Sequence, residues 1–279
     1  MSAAPWRAAV ADGRPIAPVV VVLGGFLTAP PLYRVFARRL LARGASDVVV
    51  ANVWTQDWLL AGPRGLGPIL TRSGRALLAA SARSQALALG APLLVVGHSA
   101  GGITARILTS PVPFAGRPQR ATGRIGAIVT LGTPHISALL RTAGMRSGAD
   151  AADFMNREVP GPAFAPRIGY LSVASTAAWG RRHGTPAEQR VWGLYRLLLG
   201  PDTGDDLEGD GLVPLASALL PGAPSIVLQD AWHGQFPGRE WYGADRFVDV
   251  WWPVALATWQ AALRARVDEI ASVDGGASS

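Results

Sequence analysis

Residues 19–22 are four consecutive valines, closed by Leu23 and followed by two glycines. A strand with one wet face alternates apolar and polar side chains, so an unbroken β-branched run of strand length needs cover on both faces. Residues 47–53 and 92–96 repeat the pattern, and 125–131, 167–173 and 225–228 continue it. Between the first two runs, Leu32, Val35, Phe36 and Leu40 fall on one face of an amphipathic helix. Further helices are expected over 69–89 and from 247 to about 267, with Pro253 a candidate break in the latter. Strands alternating with helices predict an α/β architecture, a mostly parallel sheet flanked by helices.

With 279 residues, 49% hydrophobic and 16% charged, the chain suits a single domain over 1–279 with a large core, and disorder is excluded. No apolar run reaches the ~18–20 residues of a membrane-spanning helix. The absence of cysteine excludes disulfides, thiolate metal sites and a cysteine nucleophile. Residues 1–18 hold no apolar segment of the signal-peptide kind, which makes the cytoplasm the default expectation. The net charge of +7 comes from arginine alone, since lysine is absent. Those arginines are scattered, with no basic run interleaved with aromatics, so nucleic acid is not an expected partner. Residues 136–166 and 174–207 interrupt the strand–helix alternation. They are candidates for cap or lid insertions over the carboxyl ends of the strands, where open α/β sheets bind ligands. The tail, 274–279, reads as disordered.

The densest chemical signal is Gly97-His98-Ser99-Ala100-Gly101-Gly102, directly after the 92–96 run and before a helix-like 103–108. Gly-x-Ser-x-Gly in that context is a nucleophile elbow, a sharp strand-to-helix turn that exposes the serine and crowds out side chains two positions either side. The helix that follows aims its amino end at developing negative charge. A serine hydroxyl needs a base. Of four histidines, His98 lies inside the elbow and should point away from the reactive face of Ser99, as a brace. His135 comes too early in the chain and His183 falls in a candidate cap. His233 follows the last strand, as the order serine, acid, histidine requires. The orienting acid must lie between Ser99 and His233, where Asp202, Asp205, Asp206, Glu208 and Asp210 crowd together and spacing alone does not separate them. Asp230 sits too close to His233 to be a good candidate. The acidic stretch does not match the spacing of an EF-hand calcium loop.

Leu23-Gly-Gly-Phe26, Val96-Gly-His-Ser-Ala-Gly-Gly102, Thr130-Leu-Gly-Thr-Pro-His135, Gly209-Asp-Gly-Leu-Val-Pro214 and Trp232-His-Gly234 together resemble the α/β-hydrolases of the lipase and esterase type. That group includes bacterial triacylglycerol lipases and glycosylphosphatidylinositol-inositol deacylases, and the likeness spans 18–263. In such lipases the aspartate before Gly-Leu-Val is the triad acid, which selects Asp210. The resemblance also implies an oxyanion hole built from the backbone N–H groups of Phe26 and Ala100. Many lipases carry His-Gly where this chain has Gly24-Gly25, so an imidazole that would brace the loop is missing.

The implied activity is hydrolysis of carboxylic esters through an acyl-enzyme, with Ser99, Asp210 and His233 as the triad and no cofactor or metal. The expected partner is a small-molecule or lipid ester, with a peripheral lipid interface as a further expectation. The ten tryptophans divide between core packing and an acyl pocket or lipid contact, and Asp57-Trp58 and Trp241-Tyr242-Gly243 are candidates for the pocket rim. Two other readings use the same residues: acyl transfer to an alcohol, and a non-catalytic ligand-binding scaffold.

Overall fold

The computed structural model describes residues 4–61, 65–87, 90–119, 121–137 and 146–276. Among these the strands are β1 (Val19–Leu23), β2 (Asp47–Val50), β3 (Leu93–His98), β4 (Ile125–Leu131), β5 (Gly169–Ser175), β6 (Ala178–Arg181), β7 (Asp206–Gly209) and β8 (Ser225–Leu228). The helices are α1 (Pro5–Ala11), α2 (Arg34–Ala42), α3 (Thr55–Leu59), α4 (Gly67–Ala86), α5 (Ala100–Thr109), α6 (Arg146–Glu158), α7 (Pro186–Leu199), α8 (Leu215–Ala218) and α9 (Asp245–Gly276). Six strands form one parallel sheet in the order β2-β1-β3-β4-β5-β8.

The valine run explains how the sheet is held. Val19, Val21 and Leu23 enter one core layer with Ile69, Leu70 and Leu77 of α4 and Ile103 and Ile107 of α5. Val20 and Val22, pointing the other way, enter a second layer with Phe36 and Leu40 of α2 and Trp251, Trp259 and Leu263 of α9. The period-2 alternation of a strand thus feeds two apolar layers instead of one layer and solvent. The strand order reverses between β1 and β3, and such a switch point opens a crevice at the carboxyl ends of the strands.

Pro253 does not break α9. It stands on the exposed side, while Trp251, Trp252, Ala255 and Trp259 around it are all at most 2% exposed. Their packing outweighs the helix hydrogen bond that proline forfeits. The helix continues to Gly276, so 274–276 of the expected disordered tail are helical, and 277–279 lie outside the described residues. Trp241, Trp251 and Trp252 are core residues, whereas Trp54 and Trp179 are exposed.

The two interruptions of the alternation carry structure of their own. In 136–166, α6 buries Ala151, Ala152 and Met155 in the layer of α4 and α5. The buried guanidinium of Arg106, on α5, ties it there by donating to the Val159 carbonyl (3.1 Å) and Asn156 Oδ1 (3.3 Å). Residues 138–145 of that candidate cap lie outside the described residues. In 174–207, β6 pairs antiparallel with β7, and α7 packs on them through the fully buried Tyr195. A capping box between Thr185 and Glu188 starts α7. No helix among the described residues is long and apolar enough to cross a membrane.

Candidate active site

Ser99 joins β3 to α5 with φ +53° and ψ −128°, a conformation costing about 1–3 kcal/mol that surrounding contacts must hold. Ser99 N–H donates to the Leu131 carbonyl (2.9 Å), and the buried Thr133 hydroxyl donates to the Ser99 carbonyl (2.9 Å). The glycines of the motif are required by contact. A Cβ on Gly101 would overlap the Leu23 carbonyl, and one on Gly97 would collide with the backbone of Gly102.

The other two groups converge on this serine. His233 Nε2 lies 3.0 Å from Ser99 Oγ, and His233 Nδ1 lies 2.8 Å from Asp210 Oδ2. Facing a carboxylate, Nδ1 carries the ring proton, which leaves Nε2 bare toward the serine hydroxyl. Asp210 is fully buried and its charge is met by four donors. Oδ1 accepts Leu212 N–H (3.0 Å) and Val213 N–H (2.7 Å), while Oδ2 accepts the Tyr242 hydroxyl (2.9 Å) beside His233. Burial, and then the neighbouring Asp210 charge, hold the Tyr242 phenol well above its ordinary pKa, so it remains a donor. Gly132, at φ +53°, gives the carboxylate its room, since a Cβ there would lie 2.6 Å from Asp210 Oδ2.

The structure separates the candidate acids. Asp205 pairs with Arg182 and Asp206 lies 3.9 Å from Arg181, both at the surface, and Asp202 and Asp230 are exposed. Part of the acidic stretch is β7 and not a loop. His183 is exposed near Asp205, and His135 is fully buried between Arg106 and Thr130. Burial, then the Arg106 charge, keep His135 well below its ordinary pKa. Among the described residues, no three His, Asp or Glu side chains converge as metal ligands.

The loop after β1 lies against the nucleophile: a Cβ on Gly25 would be 2.8 Å from Ser99 Cβ. Among the described residues, neither Phe26 N–H nor Ala100 N–H donates to another backbone group. Leu27, at φ +57°, turns the loop. The missing imidazole has a substitute in Tyr33, whose hydroxyl accepts Gly25 N–H (2.9 Å) and lies 2.8 Å from His98 Nδ1. His98 Nε2 reaches the His233 carbonyl (2.8 Å). Burial first, and the adjacent His233 second, lower the His98 pKa to about 3, so this imidazole is neutral.

Trp241 and Tyr242 are buried, correcting their placement on the pocket rim. Trp241 packs edge-on to Tyr33 and His98. Trp58 is also buried, with its ring against Phe26, and Asp57 is ion-paired with Arg72. Tyr33, Tyr195 and Tyr242 carry site contacts that sequence reasoning did not find. Tyr195, on α7, donates to the Ala178 carbonyl (3.1 Å) and accepts Gly211 N–H (2.9 Å) beside Asp210.

No family model and no curated protein matches the chain. Among solved structures, a Bacillus licheniformis lipase in its mature form matches 86% of this chain and 93% of its own, at 16% identity and a TM-score of 0.52. Its propeptide form matches 86% of this chain and 50% of its own, with a TM-score of 0.50 at 16% identity. With the parallel sheet and flanking helices, this likeness identifies the fold as that of the α/β-hydrolases.

Proposed function

We propose that this protein hydrolyses carboxylic esters through an acyl-enzyme formed on Ser99. The observation that carries the reading is the unbroken hydrogen-bonded chain from Ser99 Oγ through His233 to Asp210, at 3.0 and 2.8 Å. As Oγ attacks the ester carbonyl carbon, His233 Nε2 takes its proton, and Asp210 stabilises the resulting imidazolium and holds its orientation. The carbonyl oxygen gathers negative charge, which the amides of Phe26 and Ala100 receive; losing one such donor costs about 10²–10³ in rate. Collapse breaks the ester C–O bond, and His233 returns the proton to the leaving alcohol. Water then repeats the sequence, activated by His233, and the acid departs.

An apolar acyl group is the proposed substrate feature. Phe26, Leu27, Trp54, Leu59, Ile136 and Phe236 are all exposed and stand on segments that leave the carboxyl ends of the main-sheet strands. That concentration also supports contact with a lipid surface. The superposed Bacillus licheniformis protein is a lipase, in agreement with this choice. In this reading the β6–α7–β7 excursion, linked to the acid loop by the Tyr195 hydroxyl, is the cap.

The test is hydrolysis of p-nitrophenyl esters from acetyl to palmitoyl by the wild type and Ser99→Ala. Turnover by the wild type alone, faster on longer chains, is expected. Equal rates overturn the reading, and capture of the acyl group by an added alcohol in preference to water converts it to acyl transfer.

A further inference from the structure

We propose that Tyr33 and His98 are positioning residues, which set the oxyanion loop (24–26) from the main chain of the residue that carries the base. The geometry of this bridge stands by itself; its consequence for rate rests on the ester-hydrolase reading above.

The direction of each hydrogen bond follows from elementary chemistry. A carbonyl oxygen only accepts, so His98 Nε2, 2.8 Å from the His233 carbonyl, carries the ring proton. The buried, neutral ring then presents a bare Nδ1, and the Tyr33 hydroxyl 2.8 Å away donates its single proton there. The phenol oxygen is left as an acceptor, which Gly25 N–H fills at 2.9 Å. The Thr28 hydroxyl, 3.3 Å from the phenol, donates to the Gly25 carbonyl at 2.7 Å. The bridge therefore runs one way, Gly25 N–H to Tyr33, Tyr33 to His98, His98 to the His233 carbonyl, with every donor met.

Both ends of the bridge bear on the reacting groups. At the far end, His233 N–H donates to the Asp210 carbonyl (2.9 Å), so this main chain is fixed relative to the acid as well as the nucleophile. At the near end, Gly25 lies so close to Ser99 that a Cβ on it would be 2.8 Å from Ser99 Cβ, and the next amide is that of Phe26. A shift of the loop by a few tenths of an ångström moves that donor relative to Ser99. Trp241 fixes both ring planes, at 5.9 Å from Tyr33 and 5.1 Å from His98. The residue before the nucleophile thus acts through its neighbours and not on the substrate.

Tyr33→Phe keeps the ring packing and removes only the hydroxyl. Its kcat on p-nitrophenyl esters is expected to fall about 10–100-fold, less than deletion of an oxyanion donor. KM should stay within about twofold and the pH profile should not move, because His233 and Asp210 are untouched. Amide hydrogen exchange at Gly25 should quicken at least about tenfold while β1 and β3 amides keep their protection. His98→Gln, which retains a donor and an acceptor, should keep more activity than His98→Ala. Unchanged exchange at Gly25 in Tyr33→Phe overturns the bridge, and quickened exchange with unchanged kcat overturns its positioning role. A wild type without esterase turnover refutes the ester-hydrolase reading instead, and exchange at Gly25 still decides the bridge.

Discussion

Asparagine at position 210 would nearly match the shape of the aspartate, yet the site leaves its amide one orientation. Leu212 N–H and Val213 N–H both donate to Oδ1, so in Asp210→Asn the amide oxygen must take that end. The NH₂ group then faces His233 Nδ1. Two N–H groups cannot share a hydrogen bond, so the imidazole moves its proton to Nε2, the nitrogen 3.0 Å from Ser99 Oγ. In that tautomer it cannot accept the serine proton. The Tyr242 hydroxyl, now 2.9 Å from Oδ2, rotates to accept from the NH₂ group, so the wrong tautomer is stabilised. An equivalent swap in a serine triad lowers kcat about 10⁴-fold, or about 5.5 kcal/mol of barrier. Asp210→Ala should lose activity of the same order, about 10⁴-fold. Initial rates on p-nitrophenyl butyrate, with thermal melting to confirm the fold and nitrogen-15 spectra to read the His233 tautomer, make the test. Asp210→Asn within tenfold of the wild type, or His233 still protonated at Nδ1, would refute the reasoning.

Gly132→Ala forces a Cβ to 2.6 Å from Asp210 Oδ2 at φ +53°, so melting should drop by the equivalent of about 1–2 kcal/mol of backbone strain, with kcat down at least tenfold; wild-type melting and rate together would contradict the packing described. His98 and His135 are both held neutral below their ordinary pKa, so the unfolded chain takes up their protons first as pH falls. Stability is therefore greatest above about pH 6.5 and declines as pH falls below it, by up to about 1.4 kcal/mol per pH unit for each, with the His98 share running down to about pH 3. Urea midpoints from pH 7 to 4.5 should fall accordingly, less steeply in His135→Gln, and a flat dependence would count against both assignments. Trp259 is fully buried and its indole N–H donates to the Pro92 carbonyl (2.7 Å), so Trp259→Ala should cost about 3–5 kcal/mol in urea unfolding while kcat of the folded fraction is unchanged.

The inner strands β1, β3, β4 and β5 were legible because they are buried on both faces, which writes them as continuous apolar runs. Even the edge strand β8 falls on its expected residues, 225–228. The excursion between β5 and β8 was read only as a candidate cap, without its elements, although Thr185-Pro186 with Glu188 is a capping-box signature for α7. β6 and β7 are four residues each, like β2 and β8, but Ala-Trp-Gly-Arg and Asp-Leu-Glu-Gly lack the β-branched run that marks those two. Ser99 and His233 were visible because a local motif and chain order mark them. Asp210 was singled out among its acidic neighbours only by the lipase resemblance of Asp-Gly-Leu-Val; in the structure Gly211, at φ +92°, makes the turn that points two amides at the carboxylate. Tyr242 and Tyr33 had no such mark. They meet Asp210 and His98 across 32 and 65 residues of chain, and only the sheet topology brings them together.

The central claim is that Ser99 is a nucleophile activated by His233. Reaction with an alkyl fluorophosphonate, followed by mass spectrometry of the intact chain and its peptides, tests it most directly. A single phosphonyl adduct on the peptide containing Ser99, absent in Ser99→Ala and strongly slowed in His233→Ala, is the predicted result. An unlabelled wild type, or an adduct that persists in Ser99→Ala, would contradict it.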